Sequence, residues 1–332
     1  RRRHTIFSGV TGVQTCALPI SCGTDLKVYR RGYHARMLTP PCVFGHELAG
    51  TIVEVAPGAV GWFVGDRVVC ANSAPCGQCG RCADGQENLC DGVESCRQAV
   101  RKQIRRGVDV IKIATTGGVN SRIGSGLGRQ IFDDEVKALV DTAHLYGKKV
   151  AVHAHSDDGI NAALAVGADS IEHGTMLTDE TIKLFKAAGA YYVPTLSTVN
   201  GYIERLAANP NAYPPDVLAK VKWRIGVTGK SLAKAYPAGV KIAFGTDAGV
   251  SKHGRNADEF ELMVKYGMPA SAAIQAATMN AATLLGVDKQ VGSLEPGKAA
   301  DLIAVAGDPI VDITTLKSVR FVMKDGRVFK AE

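Results

Sequence analysis

The 332-residue chain has no apolar run that approaches the roughly 18 residues needed to cross a membrane, so no membrane partner is expected. Its basic start, RRRHTIFSG, is not followed by the apolar stretch of a secretory signal peptide. Aromatic residues make up only 6% and do not interleave with basic ones, and the net charge of +7 is spread along most of the chain. Nucleic acid is therefore not an expected partner.

Cysteine is scarce beyond residue 90, where only Cys96 follows the other eight of the nine cysteines. Four of these follow the spacing C-x2-C-x2-C-x7-C, namely Cys76, Cys79, Cys82 and Cys90. Zinc binds four tetrahedral thiolates at about 2.3 Å, and short spacers let one loop surround the ion. The spacing predicts a structural zinc lobe in a reducing cytoplasm, with unrelated loop cysteines as the alternative.

Further motifs precede this loop, with CGTD at residues 22–25, GHE at 45–47 and VGDR at 64–67. Together, residues 21–90 resemble the catalytic domain of zinc-dependent medium-chain alcohol dehydrogenases. The resemblance implies a GroES-like β fragment with a catalytic-zinc remnant of Cys22, His46 and Glu47. Taken alone, His46 and Glu47 would be interpreted as a surface pair at a strand end. The chain lacks the G-x-G-x-x-G turn of dinucleotide binding, and GSGLG at 124–128 has the wrong spacing, so no NAD(P) is expected.

Residues 10–20 read VTGVQTCALPI, and their back-translation closely resembles a common sequencing adapter. The hypothesis is that residues 1–20 are a translated metagenomic assembly artefact or are disordered, and the alternative is a chance segment of coil. We leave them out of the fold prediction.

From residue 91 onward the pattern alternates between strand and helix, which predicts parallel βα units. Thr178 and Asp133 are expected N-caps, and glycines 147, 189, 239 and 267 are expected at helix ends. Strands are predicted at residues 110–113, 149–155, 169–174, 191–196 and 241–247. Helices are predicted at 134–146, 159–166, 179–188, 215–235 and 256–267.

Metal-ligand residue types stand at four of these strand ends, as Lys112, His153, His173 and Asp247. Each has an ordinary explanation alone, since a strand histidine is usually a hydrogen-bonded core residue and a lysine can extend to solvent. Because strand ends of a (β/α)8 barrel meet at one face, their combination predicts a metal site.

The same region resembles the amidohydrolase superfamily, in its imidazolonepropionase-like and Xaa-Pro dipeptidase branch. The matching stretches are VDVIKIA at 108–114, VAVHAH at 150–155, SIEHG at 170–174, FGTD at 244–247, NAATLLG at 280–286 and GSLEPGKAADL at 292–302. The resemblance implies a carboxylated Lys112 that bridges two divalent metals, with His153 and His173 on the second metal. Asp247 would bind the first metal and carry the proton of the attacking hydroxide. His155 and His253 are weaker candidates for substrate contact, and His155 could equally point away from the site.

The expected fold class is therefore α/β, with an incomplete (β/α)8 TIM-type barrel over residues 91–290 that holds strands 4–8. Residues 291–332 are expected to form a C-terminal β-sandwich remnant. The family's His-x-His pair of the first barrel strand is missing, because no such pair precedes Lys112.

The function expected is a metal-dependent amidohydrolase that cleaves an amide or peptide C–N bond of a small-molecule or dipeptide substrate, crippled here by the missing pair. Zinc is the expected metal and the cytoplasm the expected location. Two alternatives stay open, a zinc-dependent alcohol dehydrogenase fragment and a non-catalytic zinc-binding chimera.

Overall fold

The structure, a computed structural model, describes residues 92–121 and 126–332, and the course of four strands nearer the amino terminus. The chain divides into two compact units, residues 1–96 and 97–332. Among the described residues, no helix combines the length and apolar character needed to traverse a bilayer.

The first unit contains a four-stranded sheet in the order β1-β4-β3-β2. Its strands are β1 (His4–Thr5), β2 (Val13–Ile20), β3 (Glu47–Val55) and β4 (Arg67–Cys70). Strand β2 pairs antiparallel with β3, so part of the adapter-like segment is β structure, which does not bear on the origin of its codons. The predicted metal ligands Cys22, His46, Cys76, Cys79, Cys82 and Cys90 lie outside the described residues, and only the backbone of Glu47 is described.

The second unit is built on a five-stranded parallel sheet, which confirms the predicted α/β class. The sheet runs β5 (Val110–Ala114), β6 (Lys149–Ala154), β7 (Ser170–His173), β8 (Tyr191–Val193) and β9 (Lys241–Ile242). The helices that precede or connect the first of these strands are α1 (Val93–Arg105), α2 (Asp133–Leu145), α3 (Asp157–Ala165) and α4 (Asp179–Ala188). Alternate residues of β6 (Val150, Val152 and Ala154) are fully buried in the main core, together with the aliphatic faces of these helices. Period-two burial of branched side chains explains why this segment is a strand.

The region between β8 and the tail departs from the prediction. It holds α5 (Thr198–Ala208), α6 (Pro215–Val227), α7 (Lys230–Ala235), α8 (Asp258–Lys265), α9 (Ala270–Gln275), a π-helical turn (Ala276–Asn280) and α10 (Ala281–Leu285). Helix α5 was not predicted, and the single helix expected at 215–235 is wrong. It breaks at Gly229, where φ is 79° and an added Cβ would lie 2.1 Å from the Tyr266 ring. Tertiary packing against Tyr266 thus requires a glycine and ends the helix.

Helix ends follow local chemistry in most places. Thr178 caps α4 as predicted, because its hydroxyl accepts the N–H of Thr181 at 3.2 Å. The Asp133 cap is wrong, since Asp133 is already helical and Phe132 occupies the cap position, with its N–H donating to the carboxylate of Glu135 at 2.9 Å. The four glycines predicted at helix ends have φ between 65° and 104°, the left-handed region that glycine favours.

The tail forms a three-stranded antiparallel sheet from β10 (Leu302–Val305), β11 (Val319–Lys324) and β12 (Arg327–Ala331). A 3₁₀ helix (Ile313–Lys317) connects the first two of these strands. Its Lys317 pairs with Asp258 at 3.4 Å and with Glu261, both on α8. These ion pairs attach the tail to the larger sheet's helical layer.

Candidate metal centre

The predicted site residues meet at the carboxyl edge of the parallel sheet. Lys112 lies in β5, His153 in β6 and His173 at the end of β7, whereas Asp247 follows β9 in an irregular segment. Strand β9 is shorter than predicted, because the N–H of Phe244 donates to Ala276 O in the π-helical turn and so leaves the strand ladder. All four side chains line one cavity of about 230 Å³.

Three imidazoles form the centre of this cavity. The ring centroids of His153 and His173 are 4.5 Å apart, and the ring of His155 lies 4.9 Å from each. One nitrogen of each ring lies within 4.8 Å of those of the other two. His155, whose direction the sequence left open, therefore points into the site. His253 is exposed and does not line the cavity, so its predicted substrate contact has no support.

Neighbouring hydroxyl groups orient two of the rings. His173 Nδ1 lies 2.7 Å from Thr195 Oγ1, and His155 Nδ1 lies 2.8 Å from Thr175 Oγ1. These contacts leave the Nε2 atoms of both rings available to a ligand. His153 Nε2 makes only a long 3.5 Å contact with the carbonyl of Gly117.

Burial keeps these imidazoles neutral. It lowers the pKa of His155 and His173 well below the usual value of 6.5, and the neighbouring imidazoles and cations lower it further. The pKa of His153 is lowered mainly by burial as well, against the effect of the Gly117 carbonyl. A neutral imidazole keeps a lone pair for a metal, and imidazole suits zinc, copper, iron and nickel.

Lys112 and Asp247 are the charged members of the site. The Lys112 side chain is exposed by surface area, yet the protein packed around its amine lowers its pKa by desolvation, which Glu172 and Asp247 oppose. Burial raises the pKa of Asp247, and Lys112 opposes that shift. Both groups are thus brought closer to neutrality than they would be in water, as is common at functional sites.

The backbone at the site is held in an unusual conformation. His173, Thr195 and Asp247 have φ values of 72°, 47° and 49°, in the left-handed region that non-glycine residues rarely adopt. Such residues cost about 1–3 kcal/mol each and cluster at active sites, where the surrounding structure fixes them.

Two buried charged residues near the site were missed by the sequence prediction. Glu259 on α8 is fully buried and accepts the N–H groups of Leu196 and Ser197 at 2.8 and 2.7 Å. Arg224 on α6 lines the cavity and donates to Thr228 Oγ1 at 3.0 Å. The available signal for Glu259 was its position four residues before the buried Met263, which places a carboxylate on the apolar face of a helix.

Neutral imidazoles beside a lysine and an aspartate, at the carboxyl edge of a parallel α/β sheet, form a candidate metal centre. The chain belongs to the amidohydrolase family, whose family model matches residues 36–329.

The chain is similar to several known proteins. It is 37% identical to an ochratoxinase of Aspergillus niger over 247 residues, 73% of this chain and 50% of that protein. The crystal structure of a Xaa-Pro dipeptidase with bound methionine has a TM-score of 0.70 and 42% identity, covering 82% of this chain and 70% of that one. A stretch of 74 residues is 42% identical to the L-threonine 3-dehydrogenase of Pyrococcus furiosus. The stretch covers 22% of this chain and 21% of that protein. The chain thus spans about half the length of the ochratoxinase.

Proposed function

We propose that this chain carries the site of a metal-dependent amidohydrolase that cleaves an amide or peptide C–N bond. The main support for this proposal is that three neutral imidazoles share one cavity with Lys112 and Asp247. The similarity to a Xaa-Pro dipeptidase supports a dipeptide substrate, and the similarity to an ochratoxinase supports a small-molecule substrate. The proposed compartment is the reducing cytoplasm, because the cysteine lobe needs thiolates.

The residues present fit a divalent metal, with zinc proposed. His153 and His173 would hold it through a ring nitrogen, which for His173 is Nε2. Lys112 and Asp247 would complete the ligand set, and His155 is a further nitrogen donor within the cluster. A bound metal of this kind lowers the pKa of water to about 7 and polarises a carbonyl.

The remaining chemistry belongs to the chain's own side chains. Asp247, with a pKa raised by burial, is suited to accept a proton from water and return it to the leaving amine. The lowered pKa of Lys112 favours the neutral amine, the form that can add carbon dioxide and release one proton to solvent to give a carbamate. Arg224 and Tyr202 line the same cavity, where they are placed to contact substrate.

We further propose that the site is weakened in this chain. No His-x-His pair precedes Lys112, so two imidazole ligands that the family resemblance implies are missing. The dehydrogenase-like match over 74 residues supports a foreign origin for residues 21–90, with a GroES-like fragment and its own zinc lobe. On this proposal residues 10–20 derive from a sequencing adapter, within an artefactual or disordered segment at 1–20, and residues 291–332 derive from the family's small β-sandwich.

Metal content tests this proposal directly. We expect the purified chain to bind zinc in elemental analysis, Cys76→Ser to lose one equivalent and His153→Ala/His173→Ala to lose the remainder. A stoichiometry that Cys76→Ser abolishes altogether would contradict a metal site at the imidazoles and favour the non-catalytic zinc-binding chimera.

Activity separates the two enzyme classes. We expect zinc-loaded protein to release free amino acids slowly from Xaa-Pro dipeptides, and His173→Ala to release none above the buffer rate. Oxidation of an alcohol with reduction of NAD⁺ would instead favour the dehydrogenase alternative, whose dinucleotide motif the sequence lacks.

A further inference from the structure

The hydroxyl of Thr195 determines which nitrogen of His173 carries the proton. Thr195 Oγ1 lies 2.8 Å from the carbonyl oxygen of Pro194, which can only accept. The single hydroxyl proton is therefore donated to Pro194, and the hydroxyl must accept from His173 Nδ1, 2.7 Å away. A proton on Nδ1 leaves the lone pair of the ring on Nε2, the form that can ligate a metal.

Thr195 belongs to the backbone turn that follows β8, and this turn sets its position. Thr195 has a φ of 47°, and its carbonyl accepts Thr198 Oγ1 at 2.9 Å. The next two N–H groups, of Leu196 and Ser197, both donate to the carboxylate of Glu259. A strained turn of this kind persists only where its surroundings fix it, and here a fully buried carboxylate holds two consecutive amides.

We propose that Glu259 is a positioning residue for the metal centre: it holds the turn at 195–197 so that Thr195 fixes His173 with Nε2 directed at the metal. Glu259 acts from α8, 86 positions beyond His173 in sequence, and touches neither the cavity nor the imidazoles. The inference rests on the proposed function, because it takes His173 as a ligand. Partners of this kind commonly change metal affinity by about 10–100-fold when they are removed.

The test uses Glu259→Gln and Thr195→Val, with Thr195→Ser and Glu261→Gln as matched controls. Glutamine keeps one acceptor oxygen and presents its amide N–H₂ to the other backbone N–H, so one of the two amides loses its partner. Serine keeps the hydroxyl of Thr195, whereas valine keeps only its shape. Glu261 is an exposed carboxylate on the same helix, paired with Lys317.

The first readout is the ¹⁵N spectrum of the histidine rings in metal-free full-length protein at pH 8. We expect His173 of the native chain to show a single Nδ1–H tautomer, and both Glu259→Gln and Thr195→Val to give a mixture. Thr195→Ser and Glu261→Gln should keep the native pattern. The second readout is zinc affinity by competition with a chromophoric chelator, for which we expect about a tenfold loss in the first two variants and none in the controls.

Circular dichroism and thermal melts separate positioning from folding. If the His173 tautomer in folded Glu259→Gln matches the native one, or if zinc affinity is unchanged, the positioning role is refuted. If Glu259→Gln does not fold, Thr195→Val and Thr195→Ser test whether the Thr195 hydroxyl sets the His173 tautomer. An unchanged tautomer in Thr195→Val then refutes the inference. The tautomer is read without metal, so a native chain that fails to load zinc at the imidazoles counts against the proposed function instead.

Discussion

Glu259 should make the second unit less stable as the pH rises from 5 to 8. Burial raises the pKa of its carboxyl from 4.5 to about 7. The Leu196 and Ser197 amides and Arg224 stabilise the carboxylate and so oppose part of this rise. The folded state therefore binds a proton more tightly than the unfolded state. The stability that this provides is fully present below pH 4.5 and is lost as the pH rises through about 7.

The size of this effect follows from the two pKa values. One pH unit of difference corresponds to roughly 1.4 kcal/mol, so a pKa raised to about 7 contributes on the order of 3 kcal/mol. Glu259→Gln cannot titrate and should lack this dependence. His155 and His173 have lowered pKa values in the folded state, so they make the protein more stable as the pH rises. The native chain and Glu259→Gln share this contribution, and it cancels in the difference between their free energies of unfolding.

The assay is urea unfolding of the native chain and of Glu259→Gln, followed by circular dichroism at half-unit steps from pH 5 to 8. The native free energy of unfolding minus that of the variant should fall by about 2.5 kcal/mol between pH 5 and 8, which is most of the total effect. Glu261→Gln serves as the control, and its difference from the native chain should stay within about 1 kcal/mol at every pH. A Glu259 difference that is flat, or that grows with pH, would refute the reasoning.

Three further predictions concern packing and metal. Gly201→Ala should destabilise the unit, because a Cβ there would lie 2.1 Å from Val250 O. Gly226→Ala has open space around the added Cβ and should be neutral or stabilise the unit by up to about 1 kcal/mol. Thermal melts of the two variants compare these effects. Tyr192→Phe should cost about 1–2 kcal/mol in urea unfolding, because the carbonyl of His173 loses a buried donor at 3.1 Å. Chelation of zinc-loaded protein should lower its melting temperature, and an unchanged melt would contradict binding to the folded state.

Much of the fold was predictable because it depends on local pattern. Short β-branched runs between helical stretches specified the five parallel strands, and Thr178 capped its helix as its residue type suggests. The break at Gly229 was not predictable, because it is caused by the ring of Tyr266, which the sequence does not place beside it.

The candidate site divides in the same way. The sequence by itself predicted that Lys112, His153, His173 and Asp247 would come together, because a parallel sheet brings the carboxyl ends of its strands to one edge, and all four line one cavity. It could not decide the direction of the His155 side chain. Side chains alternate between the two faces of a strand, and His155 lies one residue beyond the end of β6, where this alternation need not continue.

Only the tertiary structure decided what holds the site in place. It placed the Thr195 hydroxyl on His173 and the Glu259 carboxylate beneath the turn that carries Thr195. These contacts join elements that are distant in sequence, and each depends on angstrom-scale packing between helix and strand. Residue type and spacing determine which chemistry a chain can offer, whereas hydrogen bonds of about 2.7 Å between remote groups determine how that chemistry is oriented.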